Sequence, residues 1–233
     1  MKLAKGDRIA ELKLPNTKGG QFDIESLKGK KSLLTFYRFA QCPFCNLRVN
    51  EFVKRYPEFK DNLNVEVQVD PEFINHKDAE NVALKYCKPV GQLPTSLRSN
   101  VETMWIHRGM KAFGGGNKNI LIHTDWSEMH YENQGILEEA LFHEATHTSL
   151  DDIFSNDENW LNAQNEDCNF ISTYAFENPQ REDVAESFLP FFAIKIFPNR
   201  ISSAMKKTII ETMPARIKYF DDKILNYYPF IRK

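Results

Sequence analysis

The residues best suited to chemistry are His143-Glu144-Ala145-Thr146-His147, a His-Glu-x-x-His pattern. They lie in a stretch from Gln134 to Leu150 whose apolar residues Ile136, Leu137, Ala140, Leu141 and Ala145 recur at helical spacing. Residues four apart on a helix stand one turn above each other, so both imidazoles reach a single ion at about 2.0–2.1 Å. Glu144 projects from the neighbouring side, toward the ion's water. With six histidines in the chain, chance produces the pattern roughly 0.01 times. The competing reading is a buried helix whose histidines are satisfied by hydrogen bonds. Burying Glu144 beside two imidazoles would then require several compensating partners, whereas Zn2+ removes the need.

A catalytic zinc takes three protein ligands and leaves a fourth position for water. Glu186, embedded among Val184, Ala185, Phe188 and Leu189 on a helix expected over 181–195, is the expected third ligand, since a carboxylate on an apolar segment needs a reason to be there. Glu182, one turn earlier on the same face, is the alternative. Asp151 lies about 12 Å along the helix axis from His143 and cannot share one ion with both histidines; it suits an acceptor that orients His147. Zinc would activate water, Glu144 would act as general base, and amide hydrolysis would follow. Tyr174 is a candidate oxyanion donor, with a core tyrosine as the other reading. His107, His123 and His130 lack helical ligand spacing and read as structural.

The elements that must hold these groups follow an α+β pattern, strands early and helices late. Residues 65–69 alternate as a strand, and a helix is expected over 77–86. Strands over 101–107 and 119–123 flank Gly114-Gly115-Gly116 and suggest a hairpin with a long loop. The strand 119–123 is the expected edge for pairing with an extended peptide. Further helices are expected over 158–165 and 201–213. Upstream, Leu14 to Gly20 reads as a turn and Ser32 to Phe39 as a buried strand running into Cys42-Pro43-Phe44-Cys45, with a helix after it.

Composition bounds the function. Thirty basic residues against 32 acidic give a net charge of −2, which implies neither nucleic acid nor anionic membrane as a partner. A hydrophobic fraction of 42% supports a folded core. No apolar run reaches the roughly 18–20 residues a bilayer requires, and no apolar region follows the basic start, so a cytoplasmic location is expected. Four cysteines with one close pair suit redox or metal chemistry better than stapling.

The segment from Glu138 to Asp151 resembles the active-site helix of zincin metallopeptidases. With Tyr174 and Glu182 to Phe188 it looks most like the gluzincins that include the anthrax lethal-factor catalytic domain and the Pro-Pro endopeptidases. That resemblance implies a zincin-like metallopeptidase domain over 63–233, acting on a peptide or protein, with His143, His147 and Glu186 as zinc ligands, Glu144 as base and Tyr174 as oxyanion stabiliser. The metzincin third histidine and the thermolysin spacing are both absent. Residues 1–62, through Gly6-Asp7, Leu14-Pro15, Ser26 to Lys30 and Phe36 to Cys45, resemble a truncated peroxiredoxin-like or thioredoxin-like βαβ segment. Its implied chemistry is thiol-disulfide exchange, Cys42 attacking and Cys45 resolving. The Pro and Thr usual before a peroxidase cysteine are missing. A thiol-disulfide oxidoreductase with a structural or non-catalytic metal site is the alternative function.

Overall fold

The computed structural model describes residues 13–15, 21–23, 63, 65–73 and 75–230. The chain divides into two compact units, Met1–Cys42 and Pro43–Lys233. In the first, β1 (Lys13–Pro15) pairs antiparallel with β2 (Gln21–Asp23), Leu14 opposite Phe22. The turn expected over Leu14 to Gly20 is corrected at Leu14 and Pro15, which belong to β1, and residues 16–20 lie outside the described residues. The strand expected over 32–39, Cys42, Cys45 and the helix after them lie outside the described residues.

The second unit opens with β3 (Glu66–Val69), α1 (His76–Gln92), α2 (Thr95–Arg98) and β4 (Thr103–His107). β5 (Gly114–Gly116), β6 (Asn119–His123) and α3 (Thr124–Ser127) follow, α3 widening into a π-type turn over Glu128–Glu132. The rest is helical: α4 (Leu137–Phe154), α5 (Glu158–Asp167), α6 (Thr173–Glu177), α7 (Asp183–Ile196), α8 (Ser203–Thr212) and α9 (Pro214–Asp221). This is the expected α+β class. No described helix is long and apolar enough to cross a membrane.

The sheet runs β3-β4-β6-β5. Alternation along the strands buries Val69, Met104, Ile106, Ile120 and Ile122 on one face and leaves Trp105 exposed on the other. Two expectations are corrected here. β4 and β6 are parallel neighbours, Met104 opposite Ile120, rather than a hairpin. The hairpin joins β5 to β6 across Asn117 and Lys118, both at positive φ, the conformation that a two-residue hairpin loop requires. Consequently β6 is interior, and β5 is the edge strand on that side of the sheet. β5 escaped the sequence reading because glycine has little strand propensity.

Helix α4 packs against both β5 and α7. It is buried through Leu141, Phe142, Ala145, Leu150 and Phe154 and also through Thr146, Thr148 and Ser149. The hydroxyls are satisfied: Thr146 donates to the Phe142 carbonyl at 2.8 Å and Ser149 to the Leu97 carbonyl at 2.7 Å. Phe142 stacks on Phe188 and Phe192 of α7, with ring centres 5.7 and 5.1 Å apart. Each buried ring is worth about 1.5–3 kcal/mol, and together they set the axial register of α7 on α4. Behind them, Trp160 of α5 packs on Tyr219 and Phe220 of α9. Neither α6 nor α9 was expected. Ser172 caps α6 by accepting from the Ala175 amide, and Pro214 at the first turn starts α9.

Candidate metal centre

Two turns of α4 and the residue just before α7 build the centre. His143 and His147 place their Nε2 atoms 3.0 Å apart. Glu182 Oε2 lies 3.1 Å from His147 Nε2 and 3.4 Å from His143 Nε2. A tetrahedral ion with ligands near 2.1 Å has edges of about 3.4 Å, so the three atoms stand close to the corners of one coordination polyhedron. Among the described residues this is the group of three histidine, cysteine or acidic side chains that could hold a metal.

The outer nitrogens support the same reading. His147 Nδ1 meets Asp151 Oδ2 at 2.6 Å, the carboxylate expected to orient that ring, and His143 Nδ1 lies 3.4 Å from Glu186 Oε1. With Nδ1–H donated to Asp151, the His147 ring turns its Nε2 lone pair toward His143 Nε2 and Glu182, the way metal-ligating histidines are generally oriented. Glu182, not Glu186, is therefore the carboxylate that meets both imidazoles, while Glu186 stands on the far side of His143. The two are one turn apart, about 6 Å along the axis, and the phenylalanine seam decides which one arrives.

Glu182 is 3% exposed. Burial pushes its carboxyl up, but the two imidazoles and the Tyr174 hydroxyl, donating to Oε1 at 2.9 Å, outweigh that and hold it down at about 2. It is an anion across the physiological range. Burial pushes His147 down, and Asp151, Glu144 and Glu182 reverse this to a net rise, so a proton and a metal compete for the ring. Glu144 is pushed up by burial, with the imidazoles and the Gly115 amide opposing. Tyr174, half exposed, is pushed up by partial burial and by Glu182, so its hydroxyl keeps its proton.

The edge strand meets α4 at Glu144. A Cβ on Gly115 would lie 2.0 Å from the Glu144 carbonyl oxygen, so only glycine permits this approach. Thr148 fastens the junction: its Oγ1 accepts from the Gly116 amide at 2.9 Å and lies 3.0 Å from the Asn119 carbonyl and 2.8 Å from that of Glu144. Thr148 was not singled out from the sequence, whereas the glycine triplet was. Three other histidines have partners of their own: His107 Nδ1 meets Asp70 at 2.8 Å, His123 Nδ1 meets the Ala112 carbonyl at 3.2 Å, and His130 packs on Trp126.

No curated protein and no solved structure matches this chain. A family model described as the AhpC/TSA family matches residues 5–89, so the N-terminal part is peroxiredoxin-like or thioredoxin-like in sequence, a likeness that continues through β3 and most of α1.

Proposed function

We propose that the chain is a zinc-dependent peptide-bond hydrolase whose metal is held by His143, His147 and Glu182. The carrying observation is the convergence of two Nε2 atoms and one carboxylate oxygen within 3.4 Å, with Glu144 on the same helical turn and Tyr174 on the third donor. Bound zinc would lower the pKa of a water ligand toward about 7 and polarise the scissile carbonyl. Glu144 takes the proton of the attacking water and delivers it to the leaving amine, and burial, which favours its neutral form, suits the second half of that task. The Tyr174 hydroxyl turns from Glu182 to donate to the developing oxyanion. β5, an unbranched glycine edge beside Glu144, receives the main chain of an extended peptide or protein substrate.

The test separates metal from chemistry. Glu144→Gln should retain about one zinc per chain and lose peptide cleavage; cleavage at the wild-type rate would refute Glu144 as base. The AhpC/TSA match over 5–89 favours a second activity, disulfide reduction by Cys42 and Cys45. That reading fails if Cys42→Ser and wild type reduce insulin disulfides equally.

A further inference from the structure

Behind the metal centre lies a charged network that neither the motif nor the proposed chemistry uses. Arg216, on the first turn of α9, is completely buried, as are the Asp167 and Asp183 side chains it pairs with. Its Nε donates to Asp167 Oδ2 at 2.9 Å, its Nη1 to Asp183 Oδ1 at 2.5 Å, and its Nη2 to the Asn169 carbonyl. The guanidinium also covers the Phe170 ring, 5.1 Å from its centre. Three charges without water persist only when each is paired and hydrogen-bonded.

These partners share a location. Asp183 directly follows Glu182 and is held from three helices: by Arg216 of α9, by Ser187 of α7 at 3.1 Å and by Gln164 of α5 at 2.9 Å. Asn169 and Phe170 lead into α6, which carries Tyr174, and Phe170 packs against Phe176 of that helix at 5.7 Å. One guanidinium thus grips the two chain segments that deliver Glu182 and Tyr174 to the centre. Asp167 in turn accepts the Ala215 and Arg216 amides at 2.6 and 3.0 Å, which fixes the end of α9 from which Arg216 reaches.

We propose that Arg216 is a positioning residue that, through Asp183 and the 167–170 segment, sets where Glu182 and Tyr174 stand against the imidazole pair. This rests on the reading of His143, His147 and Glu182 as a metal centre. Lysine cannot replace the planar fork, so Arg216→Lys keeps the charge and loses the simultaneous grip. Asp183→Asn keeps the shape and loses the ion pair.

Zn2+ affinity is measured on the metal-free full chain by chelator competition, and Co2+ loading is followed by its visible absorption. Arg216→Lys and Asp183→Asn should each weaken Zn2+ binding by about 10–100-fold, the usual effect of a group behind a ligand, and alter the Co2+ band. Asp157→Asn, which removes a different anchor of α9, should lower the melting temperature with wild-type affinity. Glu182→Gln controls the underlying reading. If it binds Zn2+ as wild type does, the metal centre and the role of Arg216 both fall. If it binds weakly while Arg216→Lys and Asp183→Asn bind as wild type does, the positioning role alone is overturned. Should Arg216→Lys not fold, Asp183→Asn decides by the same criterion.

Discussion

Replacing Gly115 by alanine gives the most direct test of how the sheet meets α4. The added Cβ would lie 2.0 Å from the Glu144 carbonyl oxygen and 2.7 and 2.8 Å from its carbonyl carbon and Cα. All three are backbone atoms, so no rotamer change relieves the contact, and β5 and α4 must separate by about 1 Å. Overpacking of this kind costs about 1–3 kcal/mol, or roughly 2–12 °C of melting temperature at this chain length. Both imidazoles ride on α4 and move together, so zinc affinity should change less than tenfold. A peptide on β5 would be displaced from Glu144, and a misplacement of about 1 Å costs on the order of 100-fold in rate. The assay is kcat/KM on a quenched peptide, with thermal melts and chelator competition on the same samples. Gly114→Ala is the control, because its Cβ would meet only the Leu121 Cβ at an ordinary 3.8 Å. Equal melting temperatures and rates for the two variants would refute the close approach and the substrate placement built on it.

Three further outcomes are expected. Glu182→Ala should abolish stoichiometric zinc, whereas Glu186→Gln should retain it with affinity about 10–100-fold lower; metal analysis with the opposite ranking would return the third ligand to Glu186. Tyr174→Phe should lower kcat about 100-fold with little change in KM, and an unchanged kcat would remove the hydroxyl from the reaction. The Asp157 carboxylate is held well below its usual range by Lys223, the Asn159 amide and Tyr219. A folded pKa below the unfolded value of about 3.9 contributes stability above that pH and loses it as the pH falls toward the folded value. Asp157→Asn keeps a competent helix cap and should therefore melt below wild type at pH 7, with the gap closing below about pH 4. A gap independent of pH would contradict this assignment.

The histidine pair was legible because its geometry is internal to one helix: spacing four becomes one face without any knowledge of the rest of the chain. The same holds for Asp151, which reaches His147 from one turn further on. The carboxylate of the triad depended on a contact between helices far apart in sequence. Apolar neighbours favoured Glu186, yet α7 begins at Asp183 and leaves Glu182 on the residue before it, where burial comes from tertiary packing. The sheet shows the same division. Residues 119–123 were legible as a strand, but its neighbours were not, because β4 reaches β6 by a parallel pairing and β5 carries no side chains from which a pattern could be read.

Glu182 is the residue just before α7, its carbonyl accepts the Glu186 amide and its own amide donates to the Asn178 carbonyl, so its carboxylate is carried by the docking of that helix. Deleting one residue between Asn178 and Arg181 would therefore disturb α6 and Tyr174 first, while Asp183, held by Arg216, kept the carboxylate in place. On the proposed function, such an indel would leave a folded paralogue that still takes up metal but turns over slowly.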